Sequence, residues 1–251
     1  MNPCAYVLLA AGEGHRADLV AYLIRWGLNP NSDTVHIIVA SAHKAAVEKA
    51  MDQSQIPATF TELGEEFSLP PSNTTHIFIL PDGSEDPRKC LLPLRPWLED
   101  NQIELNRIAT LVDCAWAEQS EDNLQWFDFL IHFSDSVLLT NRNTVSKKWI
   151  QAYLDRFKKQ AIPSRIEYLK KDGHIDNPTL FLEPEARRLT LYFDPEENDE
   201  PLPTHFQIEG LEDDPEDEAI DPRDPQNDPY LAYESPHKFK FPFHPPDNET
   251  D

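Results

Sequence analysis

Long hydrophobic runs are absent from this sequence, and cysteine and basic residues are scarce. No window approaches the roughly 18 uninterrupted apolar residues of a membrane span, and the first residues have neither a basic leader nor a small-residue cleavage pattern. We therefore expect neither membrane insertion nor secretion. The three cysteines, Cys4, Cys90 and Cys114, are far apart and sit in apolar settings, which suits reduced thiols in a cytoplasmic protein.

Basic residues are outnumbered by acidic ones, 22 against 45, which gives a net charge of -23. Because binding to a nucleic-acid backbone depends on clustered lysine and arginine, we expect no nucleic-acid partner. Residues 195–251 hold 18 of the acidic residues, 3 of the basic ones and 11 of the 23 prolines. This composition predicts a disordered acidic tail that follows a folded domain over residues 1–194.

Short apolar runs alternate with helical patterns along that domain. The runs cover residues 5–11, 35–40, 76–80, 107–112 and 136–140, and weaker ones cover 165–169 and 189–193. Continuous apolar runs are typical of strands buried on both faces, so the pattern predicts an α/β fold with a mostly parallel sheet flanked by helices in a three-layer sandwich. Ser146 is the predicted N-cap of an amphipathic helix that continues to Lys159.

Ligands bind beyond the carboxyl ends of parallel strands, so the loops after the apolar runs are candidate sites. The first loop contains Gly12, Gly14, His15 and Arg16 at the start of a helix, whose amide groups could receive an anion. A working phosphate loop has a lysine and then a Ser/Thr hydroxyl for magnesium after its second glycine, where this chain has His15 and Arg16. Arg16 could still contact phosphate, and Glu13 adds negative charge nearby. A plain strand-to-helix turn is the alternative interpretation.

Three further loops carry polar residues at strand ends. They contain Asp82, Gly83 and Asp86 in the first, Asp113 in the second, and Asn141 with Arg142 in the third. The aspartates could bind a cation, although aspartates in such loops are more often turn formers and helix caps. No two histidines have the i, i+4 spacing of a helical metal pair, and no metal site is predicted.

Taken in chain order, these loops resemble the motifs of the CobW/HypB/UreG metallochaperone GTPases, and CobW-type proteins most closely. The family has GxGKTTLL, Ser-Gly-Leu-Ala-Asp-Pro, Val-Val-Asp-Ala and Leu-Asn-Lys-x-Asp, where this chain reads GEGHRADL, PDGSEDP, VDCA and LTNRNT. The later KDGHIDNP is similar to the family's His-Gly-x-Ile-Asp-Pro. The resemblance runs from about residue 6 to residue 182 and implies a P-loop NTPase fold, with GTP and magnesium as the possible cofactors.

The departures from the family fall on functional positions. His15 stands in place of the phosphate-loop lysine, Arg16 and Ala17 in place of Ser/Thr, Leu9 in place of the first glycine, and Thr144 in place of the guanine-reading aspartate. The stretch ELGEEF lacks the family's Cys-x-Cys-Cys metal site. The resemblance therefore implies a noncatalytic relative, a pseudo-GTPase that acts as a binding or regulatory protein.

Two other functions fit the same residues. One is a nucleotide-binding, metallochaperone-like GTPase with an unusual phosphate loop, and the other is an unrelated Rossmann-like domain that binds a small anion. A protein partner is expected in the pseudo-GTPase interpretation, through the domain surface or the tail. The tail stretch HKFKFPFH at 237–244 alternates aromatic and basic residues, so it could add a strand to a partner or fold back on the domain.

Overall fold

The computed structural model describes residues 2–12, 14–54, 57–194, 221 and 223–232. Glu13 and the stretch 237–244 lie outside the described residues. The strands are β1 (Cys4–Ala10), β2 (Val35–Val39), β3 (Thr59–Glu62), β4 (His76–Leu80), β5 (Glu104–Asp113), β6 (Ser136–Thr140) and β7 (Arg165–Tyr168). The helices are α1 (Arg16–Gly27), α2 (Ser41–Ser54), α3 (Arg88–Asp100), α4 (Cys114–Ala117), α5 (Glu121–His132), α6 (Lys147–Lys159) and α7 (Pro178–Leu182), with single 3-10 turns at Arg142–Thr144 and Lys171–Gly173.

All seven strands form one sheet in the order β3-β2-β4-β1-β5-β6-β7, and each neighbouring pair is parallel. The predicted α/β architecture is therefore confirmed. Strand β3 was not predicted from the sequence. It is a four-residue edge strand that is at best half-buried, and it therefore has no continuous apolar run. The possible strand at 189–193 is wrong, because the amides of Leu189 and Thr190 bond to the carbonyl of His132 at the end of α5 and not to a neighbouring strand.

Each face of the sheet is covered by its own hydrophobic layer. Helices α1, α2 and α7 pack on one face, where Leu19 and Leu23 of α1 are fully buried. Helices α3, α5 and α6 cover the other face, with Phe127 and Phe129 of α5 at its centre. The chain is therefore the predicted three-layer sandwich, with helices on both sides of a buried parallel sheet.

Two helices show how local chemistry is satisfied in these layers. Ser146 accepts a hydrogen bond from the amide of Trp149, which confirms it as the N-cap of α6. Helix α3 contains Pro93 and Pro96, and each proline removes a backbone donor from the helix. The carbonyl of Leu92, four residues before Pro96, instead accepts a bond of 2.8 Å from the Tyr192 hydroxyl. Among the described residues, every helix is too short or too polar to span a bilayer.

A short part of the acidic tail packs on the domain. In the segment 223–232, Leu231 is 1% exposed and Asp228 is 4% exposed. The prediction of disorder therefore does not hold for this segment, whose buried leucine and carboxylate offset the cost of ordering it. The rest of the predicted tail lies outside the described residues.

Asp135 joins three parts of the chain just before β6. Its fully buried carboxylate accepts hydrogen bonds from the amides of Ile108 and Arg187, at 2.8 and 2.9 Å, and from the guanidinium of Arg188 at 3.2 Å. The carboxylate thereby fixes the start of β6 against β5 and against the segment after α7.

Asp135→Ala is expected to lower the free energy of unfolding by about 3–5 kcal/mol, because it removes the acceptor of two amides and one of the two carboxylates bonded to the buried Arg188 guanidinium, which retains Asp194 at 3.3 Å. Asp52→Ala, at an exposed position of α2, is the control and should change it by less than about 0.5 kcal/mol. Urea denaturation followed by circular dichroism measures both. Equal effects for the two variants would contradict this role of Asp135.

Candidate functional site

The loops predicted as sites meet at the carboxyl edge of the sheet. Strand β1 leads into α1 on one face, whereas its two neighbours, β4 and β5, lead to helices on the other face. Connections that diverge in this way leave a crevice between adjacent strands, which is where open parallel sheets bind ligands. The loops after β1, β4 and β5 are therefore the walls of the candidate site.

The loops after β1 and β4 are in direct backbone contact. The amide of Gly12 donates a hydrogen bond of 3.1 Å to the carbonyl of Gly83. A Cβ atom at Gly83 would lie only 2.2 Å from the Gly12 carbonyl oxygen and 2.6 Å from that of Ala10. Glycine is required at position 83 because two stretches of backbone touch there. The crevice between these loops is closed at this point, and the Gly12 amide already has an acceptor.

Arg16 is buried beneath this contact. Its side chain is among the largest that are fully buried, and its residue exposure is 1%. The guanidinium donates to three backbone carbonyls, those of Leu8, Gly12 and Pro81. The sequence suggested that Arg16 could contact phosphate, but the structure directs its charge into the protein, where it ties the loops after β1 and β4 together.

Gly14 and His15 lead from the first loop into α1, and His15 is exposed. Both have left-handed backbone conformations, with φ of 57° and 62°. The imidazole of His15 is half exposed and lies 3.9 Å from the Asp18 carboxylate. Together with Lys49 of α2 and Asp113, these residues line a cleft of about 490 Å³.

Asp82 is held by its own turn and by a histidine. Its carboxylate accepts bonds of 2.9 and 2.7 Å from the amide and hydroxyl of Ser84. The Nε2 atom of His43, near the start of α2, lies 3.5 Å from the same carboxylate and 3.4 Å from the Gly83 amide. Burial raises the pKa of Asp82, but the bonds from Ser84 and the charges of His43 and Arg16 outweigh it and hold the pKa below its usual value.

Asp86 lies with Asp82 in a second cleft, of about 530 Å³, between the ends of β2 and β4. Its carboxylate caps the start of α3 by accepting from the Arg88 amide at 2.9 Å, and it also pairs with the Arg88 guanidinium. Lys89 and Glu65 line the same cleft. Asp86 is thus a helix-capping residue with a salt bridge, as the alternative interpretation of these aspartates proposed.

Asp113 and Asn141 connect the loops after β5 and β6. One oxygen of Asp113 accepts from the amides of Ala115 and Trp116 and so caps α4, and the other accepts a bond of 2.8 Å from the Asn141 side chain. Asn141 has a left-handed backbone with φ of 49°. The guanidinium of Arg142 lies over the Tyr168 ring, 4.2 Å from its centroid. The structure thus pairs Asp113 with Asn141 but places Arg142 against β7.

The residues at this edge do not fit a triphosphate bound with magnesium. The place of the magnesium-binding hydroxyl holds Arg16, which is buried, and the Gly12 amide is bonded to Gly83. Across the described part of the chain, no group of three His, Cys, Asp or Glu side chains could hold a metal ion. Burial raises the pKa of the Cys90 and Cys114 thiols to about 12, which keeps them protonated and unreactive.

Two residues of this edge were missed in the sequence. His43 and Lys49 both belong to α2, which carries none of the predicted site residues. His43 contacts the Asp82 loop, and Lys49 lines the cleft beside Gly14. The available signal was positional, because a helix that follows β2 must start at the same sheet edge as the Gly12 loop.

No protein-family model matches this sequence, and no curated protein matches it. Among solved structures, the fold is similar to the Zn(II)-bound YjiA GTPase from E. coli, with 13% sequence identity and a TM-score of 0.41 over 74% of this chain and 67% of YjiA. A Zn(II)-bound triple mutant of YjiA has 12% sequence identity to this chain and a TM-score of 0.43, over 74% of this chain and 67% of the mutant. Chloroplast FtsY from Physcomitrella patens has 10% sequence identity and a TM-score of 0.48, over 72% of this chain and 64% of FtsY. The likeness concerns the fold, and this chain spans about two thirds of those proteins.

Gly83→Ala is expected to lower the free energy of unfolding by about 1–3 kcal/mol, because the added methyl group must displace the backbone of Gly12 and Ala10. Gly64→Ala is the matched control, since a Cβ atom there meets nothing closer than 3.9 Å. Urea denaturation of both variants measures the difference. A Gly83→Ala protein as stable as Gly64→Ala would show that the two loops are not in contact.

Proposed function

We propose that this protein is a noncatalytic relative of the CobW-type GTP-binding proteins, and that it acts as a binding or regulatory protein. Its partner is a protein that binds the domain surface or the tail. Two features support the proposal: the order of the motifs that follow the strands, and the residues that replace lysine and Ser/Thr in the first loop. The motifs indicate a shared origin, and the loop has lost the groups that hydrolysis requires.

The observation that carries this proposal is the position of Arg16. Phosphoryl transfer depends on cations and amides aimed at the transferring phosphate. Here the Arg16 guanidinium donates to three backbone carbonyls, those of Leu8, Gly12 and Pro81. The Gly12 amide donates to the carbonyl of Gly83. These groups stabilise the junction of two loops and are not directed at a ligand.

A second function is favoured by one observation. Lys49 of α2 lines the cleft that also contains Gly14 and His15, and that cleft has a volume of about 490 Å³. A lysine beside a glycine turn at a helix start could attract a phosphate. In this alternative the protein binds a nucleotide through Lys49 and does not use Arg16.

Thermal unfolding in the presence of nucleotide separates the two functions. With 1 mM GTP or ATP and magnesium, we expect no change in melting temperature, because the Arg16 guanidinium and the Gly12 amide are already bonded to protein carbonyls. The assay is sensitive, since a ligand present at about 100 times its Kd stabilises the folded state by about 2.7 kcal/mol. Hydrolysis of GTP should not exceed the rate without protein.

A saturable rise in melting temperature would show that the protein binds the nucleotide, and GTP hydrolysis above the rate without protein would contradict the noncatalytic proposal. The alternative then predicts that Lys49→Ala removes the rise. Lys44→Ala is the control, because Lys44 lies on the same helix but pairs with Glu62, at 3.0 Å, outside the cleft. A rise that survives Lys49→Ala would exclude the alternative in which the nucleotide binds through Lys49.

A further inference from the structure

The described tail residues, 221 and 223–232, contain three aspartates that each form an Asx turn and that proline follows in the sequence. Each aspartate accepts a hydrogen bond of 2.9 Å from the amide two residues later: Asp221 from Arg223, Asp224 from Gln226, and Asp228 from Tyr230. Aspartate followed by proline favours this Asx turn, because its side chain mimics a backbone acceptor while proline fixes the next φ. The segment is therefore locally organised by its own sequence.

The last of these turns inserts its carboxylate into the domain. Besides two amides of its own turn, Asp228 accepts a bond of 2.9 Å from Nε2 of His132 and one of 2.6 Å from the Thr190 hydroxyl. His132 and Thr190 are 8% and 1% exposed. Four donors satisfy the carboxylate, which holds its pKa below the usual value although burial raises it. This arrangement selects a carboxylate over an amide.

Apolar contacts surround that carboxylate. The Tyr230 ring lies 4.5 Å from the His132 ring and 5.6 Å from the Phe129 ring, and Leu231 enters the core beneath α5. At the other end of the segment, Arg95 of α3 donates to the Arg223 carbonyl at 3.3 Å. We call this surface, formed by Arg95, Phe129, His132 and Thr190, the α5 groove.

We propose that the α5 groove is a peptide-binding site for an acidic Asp-Pro-Tyr-Leu segment, and that residues 221–232 are its resident ligand, exchangeable with the same segment offered in trans. The α5 groove offers what such a segment needs: buried hydrogen-bond donors for its carboxylate, aromatic rings for its tyrosine and an apolar pocket for its leucine. Because the resident ligand is tethered, its effective concentration can reach roughly the millimolar range. A competing peptide can therefore bind only those molecules in which the groove is open. Its apparent Kd equals its intrinsic Kd divided by the fraction of such molecules.

The test uses a fluorescent peptide of residues 221–232 and the full chain with Asp228→Ala, which weakens the resident ligand. Fluorescence anisotropy should show that this variant binds the peptide at least tenfold more tightly than the wild-type chain. A peptide carrying Asp228→Asn is the matched control and should bind at least tenfold more weakly than the unmodified peptide. Leu231→Asp in the full chain is a second variant that empties the groove by another route.

Equal affinity of the wild-type and variant chains would overturn the proposal, as would no binding by variants that circular dichroism shows to be folded. An independent measurement needs no variant. In the wild-type chain, the amides of Tyr230 and Leu231 should exchange with solvent at least tenfold more slowly than in the free peptide, and millimolar peptide should remove that protection. Protection that millimolar peptide leaves unchanged would mean that the segment is a fixed part of the fold.

Discussion

The guanidinium of Arg16 lies between two loops that are far apart in sequence, and backbone carbonyls from both accept its N–H groups. A buried charge without partners costs several kcal/mol, so these carbonyls must stay where the guanidinium can reach them. The Gly12 loop and the Gly83 loop are thereby drawn into contact, and glycine is required at the point where they touch. The shape of the sheet edge follows from this one buried cation.

The same constraint separates this edge into distinct parts. The loop contact divides the cleft beside Gly14, which contains His15 and Lys49, from the cleft that contains Asp82 and Asp86. A phosphate loop needs the opposite arrangement, in which free amides and a cation converge on one point. Here the Gly12 amide and the Arg16 guanidinium are both bonded to protein carbonyls, and the neighbouring aspartates cap turns and helices.

The sequence predicted the sheet well because buried parallel strands produce continuous apolar runs. It also predicted that the loops with Gly12, Asp82, Asp113 and Asn141 share one edge, since parallel strands end together. The direction of the Arg16 side chain could not be predicted, because it depends on the carbonyl of Pro81, which only the fold brings near. The order of the segment that contains Asp228 could not be predicted for a related reason. Its Asp-Pro pairs have a composition typical of disordered chains, but its aspartates form turns. The buried partner of Asp228, His132, is far away in the sequence.

Amide hydrogen exchange at Gly12 tests the central claim, that the first loop is closed by contacts within the protein. The account predicts that this amide exchanges as slowly as the amides of the central strands, because Gly83 accepts its hydrogen bond, and that millimolar GTP with magnesium leaves the rate unchanged. Fast exchange in the free protein, followed by protection when the nucleotide is added, would show that the loop is open and receives a phosphate.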